Sequence, residues 1–351
     1  MTISLCMIVK NEEKVIGRCL DSVKDVFDEI IIVDTGSTDK TKKICAKYTN
    51  KIYDFAWVDD FSLARNVSFS YAKCDYIAWL DADDVLDEQN KLKFLYLKKN
   101  LVYLKPDVIL CKYNTNYKNE NHSSCVFFRE RILKRDCGFI WQGFVHECIV
   151  PKGKIIYSDV EIFHLSAKNY YSDRNLKIYE NHIKQGYILD VRHKLYYAKE
   201  FYYLKRYKKA KSLLEKYLKQ ENIPTYLFFE AVNTLGKIYE ALSENEKALN
   251  TYLKCFIKGV PPSEILCRIA FLYKNIDLES AILFFELALN KRQNALDFVI
   301  KDFCDFIPLI ELSVCYYNVD YKKALYYHEK AKKIHPDDPL ILFNEKFFKT
   351  K

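Results

Sequence analysis

Residues 74–86 read CDYIAWLDADDVL: a short apolar strand runs straight into Asp81, Asp83 and Asp84 with no basic residue between them. Carboxylates this close together at the end of a buried strand repel one another unless a hard divalent cation or a ligand's hydroxyls sit among them. Mg²⁺ or Mn²⁺ held by few carboxylates normally completes its shell with phosphate oxygens, so the cluster points toward a metal and phosphate site. Taken alone, DADD equally suits a loop that caps the next helix through Asp84 and Asp87. The flanking sequence decides between the two.

The chain opens with ISLCMIVKNEE at residues 3–13, an apolar strand ending at Lys10, Asn11, Glu12 and Glu13, followed by a helical pattern over 15–26. The design repeats in EIIIVDTGSTDKT at 29–41. There residues 30–33 form a buried-strand run and Asp34 stands at its carboxyl end. Gly36 permits a tight turn, and Ser37 to Asp39 cap a helix expected over 41–48. Three strands thus end in polar clusters. In open α/β sheets the crevice outside the carboxyl ends of the strands binds nucleotides, so Asn11, Asp34, Asp39 and Asp81 to Asp84 are expected to converge on one site.

This order of motifs resembles the family 2 glycosyltransferases of the GT-A fold. The resemblance runs over residues 2–166 and is carried by MIVKNEE, VDTGSTD at 33–39, FSLARN at 61–66, DADD at 81–84 and WQGFVHE at 141–147. Bacterial members whose catalytic domain precedes tetratricopeptide-like helices, such as the SunS-type peptide S-glycosyltransferases, look most similar. The resemblance implies that Asp34 and Asp39 hold the uracil and ribose of a UDP-sugar, with Asn11 beside them. Arg65 and Asn66 would face the donor, Asp81 the ribose or a metal-bound water. Asp83 would ligate the metal, with His164 of EIFHLS as a further ligand; a carboxylate and imidazole set favours Mn²⁺ over Mg²⁺. Glu147 is the expected base that takes the acceptor's proton, and His146 the neighbour that orients it. Inversion in a single displacement follows from the same resemblance, and no covalent nucleophile is required.

At 351 residues, 50% of them hydrophobic and 29% charged, two globular domains are expected: an α/β catalytic domain over 1–166 with a mixed, mostly parallel sheet, then an all-α domain over 167–351. The signal in the second part is a repeat. Ala198, Phe201, Tyr207, Ala210, Leu214 and Tyr217 stand at tetratricopeptide-like offsets, echoed by Gly236, Tyr239, Ala248 and Tyr252, by Ala270, Tyr273, Ala281 and Phe285, and by Leu312, Cys315, Tyr321, Ala324 and Ala331 before Pro336. No run approaches the length of a membrane span and the amino terminus lacks a signal-like pattern, so a cytoplasmic enzyme without a transmembrane segment is expected. The 12 cysteines show no CxxC and read as reduced thiols rather than disulfides or a zinc site.

Through Leu165 there are 24 basic and 24 acidic residues; the remaining 31 basic and 23 acidic carry the whole net charge of +8. Interleaved with core aromatics, those lysines read as a solvated helical face rather than a nucleic-acid patch. The sugar-specifying contacts are expected between residues 105 and 128 and around Trp141. The acceptor reading is a peptide or protein side chain recruited by the repeats, with a cell-surface or lipid-linked glycan as the alternative, and the repeats are also suited to homodimerisation. A reading of another class is a helical scaffold whose amino-terminal half is a nucleotide-sugar sensor or an inactive relic.

Overall fold

The computed structural model describes residues 1–115, 125–165, 172–291 and 299–348. The chain separates into two compact units, Met1–Tyr170 and Tyr171–Lys351. The boundary expected after Ser166 lies outside the described residues, as does much of the 105–128 segment expected to contact the sugar.

In the first unit the elements run β1 (Ile3–Val9), α1 (Ile16–Val23), β2 (Glu29–Asp34), α2 (Thr41–Cys45), β3 (Ile52–Asp54), α3 (Phe61–Ser70), β4 (Tyr76–Trp79), β5 (Asp84–Val85), α4 (Glu88–Leu104), β6 (Val108–Thr115), β7 (Cys125–Lys134), β8 (Trp141–Gln142), β9 (Cys148–Ile149) and β10 (Ile155–His164). The strand order is β3-β2-β1-β4-β7-β6-β10-β5, with β8 and β9 forming a separate ribbon. β1 pairs in parallel with β2 and β4, β2 with β3, and β6 with β10. The continuous burial of β2 reflects a parallel strand covered on both faces. One face packs against Ile16 and Leu20 of α1 and Phe94 and Leu101 of α4, the other against Phe69 of α3 and Trp141.

The helices expected over 15–26 and 41–48 stop short, at Val23 and Cys45. Val26 and Tyr48 still pack on the core from the following turns, so helical periodicity outlasts the helix. Register then places the site. Val9 pairs with Asp34, and β4 runs parallel to β1, so the segments leaving β1, β2 and β4 emerge at one edge. At β10, His164 pairs with Asp84 of β5 and is brought to the same loop.

The second unit is helical: α5 (Arg174–Lys184), α6 (Val191–Tyr203), α7 (Tyr207–Tyr217), α8 (Thr225–Ala241), α9 (Asn245–Leu253), α10 (Ser263–Tyr273), α11 (Leu278–Asn290), α12 (Phe306–Tyr316), α13 (Tyr321–Ile334) and α14 (Pro339–Phe348). The four sequence repeats coincide with the pairs α6–α7, α8–α9, α10–α11 and α12–α13. Their small residues lie where paired helices cross: Ala198, Ala210, Ala248, Ala270, Ala281 and Ala324 are all wholly buried. Gly236 is the tightest of these crossings, since a Cβ there would stand 2.2 Å from the Tyr252 ring. Ion pairs join successive first helices, Lys199 to Glu230, Lys237 to Glu264 and Lys274 to Glu311. All twelve cysteines are free thiols.

Because Tyr252 is fully buried, Gly236→Ala should cost about 1–3 kcal/mol through overpacking. Gly17→Ala, whose Cβ would meet only Ile44 Cγ2 at 3.6 Å, should be neutral or stabilising. Urea unfolding of the two variants checks the difference; equal midpoints would contradict the close crossing.

Candidate active site

The loops after β1 and β2 tie each other down. Asn11 takes a left-handed backbone (φ 55); its N–H donates to Ser37 Oγ at 3.0 Å and its Oδ1 accepts from Thr38 N at 2.8 Å. Asp34 Oδ1 accepts from the N–H groups of Gly36 (2.9 Å) and Ser37 (2.7 Å), the Asx turn that this residue type favours. Its Oδ2 is buried without a hydrogen-bond partner. Asp39 accepts from Thr41 N through Oδ1 and from Glu13 N through Oδ2. Desolvation alone would push its carboxyl up, but the hydroxyl and N–H of Thr41 and the N–H of Glu13 hold it below the usual value.

Asp60 caps α3 by accepting from Leu63 N, and the helix delivers Arg65 into the crevice. The Arg65 side chain, 9% exposed, donates from Nε to Glu147 Oε1 and from Nη2 to Asp81 Oδ1, both at 2.7 Å. Its guanidinium carbon lies 5.0 Å from the Trp79 ring centre and 4.7 Å from that of Trp141. Burial works to raise the Asp81 pKa, but Arg65 and then Arg131 outweigh it and hold the carboxyl well below the usual carboxylate range.

Asp84 is wholly buried. Its Oδ2 accepts from Arg131 Nη1 at 3.0 Å and from Asp81 N at 3.0 Å; its Oδ1 accepts from the Tyr113 hydroxyl at 3.0 Å. Arg131, 1% exposed, lies 3.7 Å from the centre of the Trp79 ring and 4.2 Å from that of Tyr113. Such stacking suits a weakly hydrated guanidinium. Its Nε and Nη2 have no hydrogen-bond partner.

His164 Nδ1 stands 3.2 Å from Asp84 Oδ1 and 3.3 Å from Asp83 Oδ1. Burial would lower the imidazole pKa, yet the hydrogen bond to Asp84 and the charges of Asp83 and Asp84 raise it. Burial pushes Asp83 up to about 6; His164 opposes this, while Asp81 and Asp84 add repulsion. Leu165 N donates to Asp83 O at 2.9 Å and Arg18 Nη2 to Leu165 O at 2.8 Å, locking the end of β10 against this loop.

The charges divide unequally. Arg65 is matched to Asp81 and Glu147, and Arg131 to Asp84, so four carboxylates face two guanidiniums. With His164 neutral the cluster carries two uncompensated negative charges, one at Asp83 and one shared by Asp81 and Glu147 on Arg65. Oxygens of Asp83 and Asp84 and a nitrogen of His164 lie within 4.8 Å of one another. This donor set fits one divalent cation. Asp83 and His164 are its candidate ligands, since Asp84 is already engaged on both oxygens.

Of the residues expected from sequence, Arg65, Asp81, Asp83, Glu147 and His164 are brought into one linked network, with Asn11, Asp34 and Asp39 in the two loops beside β4. Asn66 departs from its expected position toward the donor: it accepts from Trp141 N at 2.8 Å and donates to Trp141 O at 3.0 Å, holding β8 in place. Trp141, expected among sugar contacts, is only 2% exposed and packs edge-on against Trp79. Asp39 likewise serves the loops, both of its oxygens being bonded to backbone N–H groups. His146 occupies a left-handed backbone (φ 52), uncommon for a residue with a Cβ and frequent at functional loops. Sequence reading missed Arg131 and Tyr113; the one available signal was the charged triplet Arg129, Glu130 and Arg131 inside β7.

Comparison with known proteins bears on the family of the amino-terminal unit. Residues 4–151 match the family described as Glycosyl transferase family 2. The chain is 30% identical over 258 residues to the SPbeta prophage-derived glycosyltransferase SunS of Bacillus subtilis, covering 72% of this chain and 54% of that one. It is 49% identical over 84 residues to a TPR repeat-containing protein of Synechococcus elongatus, covering 24% of this chain and 21% of that one. The chain thus spans about half the length or less of these curated relatives. Among solved structures, S. aureus TarS 1-349 is similar over 85% of this chain and 97% of its own, at 14% identity and a TM-score of 0.38. The amino-terminal unit carries a family 2 glycosyltransferase domain of GT-A-like fold, and helices of tetratricopeptide type follow it.

Three variants test the charge arrangement. Arg131→Met leaves Asp84 buried and unpaired, so it should cost about 3–5 kcal/mol in denaturant unfolding, and most of that should return in Arg131→Met/Asp84→Leu. Asp83→Asn removes the uncompensated carboxylate. The metal-free variant should melt about 2–4 °C above the parent, and Mn²⁺ should raise the melting temperature of the parent but not of the variant.

Proposed function

From a family 2 domain with this network at its strand ends, we propose that the chain is an inverting, metal-dependent glycosyltransferase that moves a hexose-type sugar from UDP to a peptide or protein side chain. The observation that carries the reading is the Arg65 bridge, which links Asp81 on the nucleotide side to Glu147 through one buried guanidinium. Two ion pairs from one planar fork hold both carboxylates in fixed orientation.

Each residue then has a task its environment suits. Asp34 Oδ2, buried and without a partner, accepts from the N–H of the nucleobase, the bond this carboxylate otherwise lacks. Asn11 and Asp39 keep the loops that flank it rigid. Asp83 and His164 hold Mn²⁺ or Mg²⁺, which when bound neutralises the charge of the departing diphosphate. Glu147 Oε1 is fixed by Arg65, and Oε2 takes the proton from the acceptor as it attacks the anomeric carbon on the face opposite UDP. His146, next in sequence, positions that acceptor. The peptide acceptor rests on the helical repeats, an architecture that commonly binds extended chains.

Release of nucleoside diphosphate from a panel of UDP- and GDP-sugars, with Mn²⁺ or with EDTA, tests the reading. One UDP-sugar should be turned over in Mn²⁺ and none in EDTA. Glu147→Gln should lower turnover about 10²–10⁴-fold with donor binding retained, and Asp83→Ala should lose the metal response. Turnover that is unchanged by EDTA and by Asp83→Ala would remove the metal assignment; absence of any nucleotide-sugar binding would leave the scaffold reading standing.

A further inference from the structure

The outer side of α4 combines an exposed apolar stripe with lysines as its only charged residues after Glu88. Opposite its buried residues Phe94 and Leu101, Leu92, Tyr96, Lys99 and Tyr103 recur at i, i+4, i+7 and i+11, the spacing of one helical face. Leu92 is 67% exposed, Tyr96 73% and Tyr103 81%, and Val102 flanks them at 43%. Single exposed apolar residues are ordinary. Here they align along about 16 Å of helix.

The same helix holds no acid after Glu88. Residues 89–105 contain Lys91, Lys93, Lys98, Lys99 and Lys105 and neither Asp nor Glu. Lys91 and Lys98 face inward enough to pair with Asp25 and Asp28. Lys93 reaches only the Asp159 carbonyl, at 3.5 Å. Lys99 and Lys105 meet no carboxylate among the described residues, and Lys154, which donates to Leu104 O, adds a further cation at the same end. The basic helices of the second unit differ: α7 carries Glu215 among its lysines and α13 carries Glu329.

We propose that this face docks on an anionic lipid bilayer, lying in the interface without crossing it. Tyr and Leu side chains on a lysine-flanked stripe match the chemistry of that boundary: the rings and the aliphatic stems enter the headgroup region, while the ammonium groups meet lipid phosphates. A protein partner would require acids placed to oppose Lys93, Lys99 and Lys105. A bilayer containing anionic lipid supplies them without register, which the uniform sign of the face favours. No helix of the described residues is long and apolar enough to cross a membrane, so attachment through α4 is peripheral and reversible. The inference stands independently of the donor and acceptor assignments.

Co-sedimentation of the full chain with vesicles of phosphatidylcholine, with and without phosphatidylglycerol, tests it. Binding should appear only with phosphatidylglycerol and weaken as salt is raised. Lys93→Glu/Lys99→Glu should weaken it at least as much as the loss of two lysines, about fivefold each. Tyr96→Ser/Tyr103→Ser should also weaken it, and nucleotide-sugar hydrolysis without vesicles should be unchanged in both. Equal binding to neutral vesicles, or variants that bind like the parent, would overturn the proposal. So would a dimer in vesicle-free solution that Tyr96→Ser/Tyr103→Ser dissolves, since the face would then be a contact between copies.

Discussion

The pair between Arg131 and Asp84 sets the terms for the rest of the amino-terminal unit. Both side chains are removed from water, and in a low-dielectric interior neither charge is tolerable without the other. The pair therefore forms as a unit or not at all, and everything bonded to it is placed by it. Asp84 receives the Tyr113 hydroxyl from β6, Arg131 from β7 and the Asp81 N–H from the end of β4, and lies against His164 of β10. Four strands that are distant in sequence meet on one carboxylate. The guanidinium also lies close to the Trp79 and Tyr113 rings and donates from Nη1 to the Trp79 carbonyl at 3.2 Å.

Above that base, three aspartates within four residues do different work. Asp81 is held low by Arg65, Asp83 is pushed up by burial and its acidic neighbours, and Asp84 is consumed by the internal network. Identity and spacing alone do not distinguish them, because the difference lies in which cation arrives from elsewhere in the chain. Arg65 comes from α3 and Arg131 from β7, 16 and 47 residues from their partners. The central member of the cluster is left facing outward with no cation of its own, which is the condition for taking one from solution.

Much of this was legible beforehand, for reasons that are local. β1, β2 and β4 are unbroken apolar runs that end in polar residues, so their existence and their common edge could be read directly. The repeats announced themselves through small residues, since two helices cross closely only where a side chain is missing, as at Gly236 against Tyr252. What escaped was non-local. Asn66 sits beside Arg65 in FSLARN, yet one turns to the Trp141 backbone and the other to two carboxylates, because successive residues leave a helix about 100° apart. Asp39 looked like a ligand-binding carboxylate and is a loop fastener. Arg131 stayed hidden because nothing in the run Arg129, Glu130, Arg131 of β7 tells which arginine turns to a buried acid.

The energetics of the network bear on whether the unit is a catalyst or a relic. Replacing a buried ion pair with apolar residues of similar volume is often neutral or stabilising, so a domain kept only as a scaffold gains position rather than net stability from Arg131 and Asp84 in its core. It gains still less from Asp83, whose burial next to Asp81 and Asp84 makes its charged form unfavourable. Nor does stability require Arg65 to reach two carboxylates on separate segments. Each of these is an expense in the isolated protein. A divalent cation at Asp83 and His164 would offset the negative charge that four carboxylates leave over two guanidiniums, which is the role proposed for it above. The polar cluster is thus better explained by what enters the crevice than by what holds the fold together.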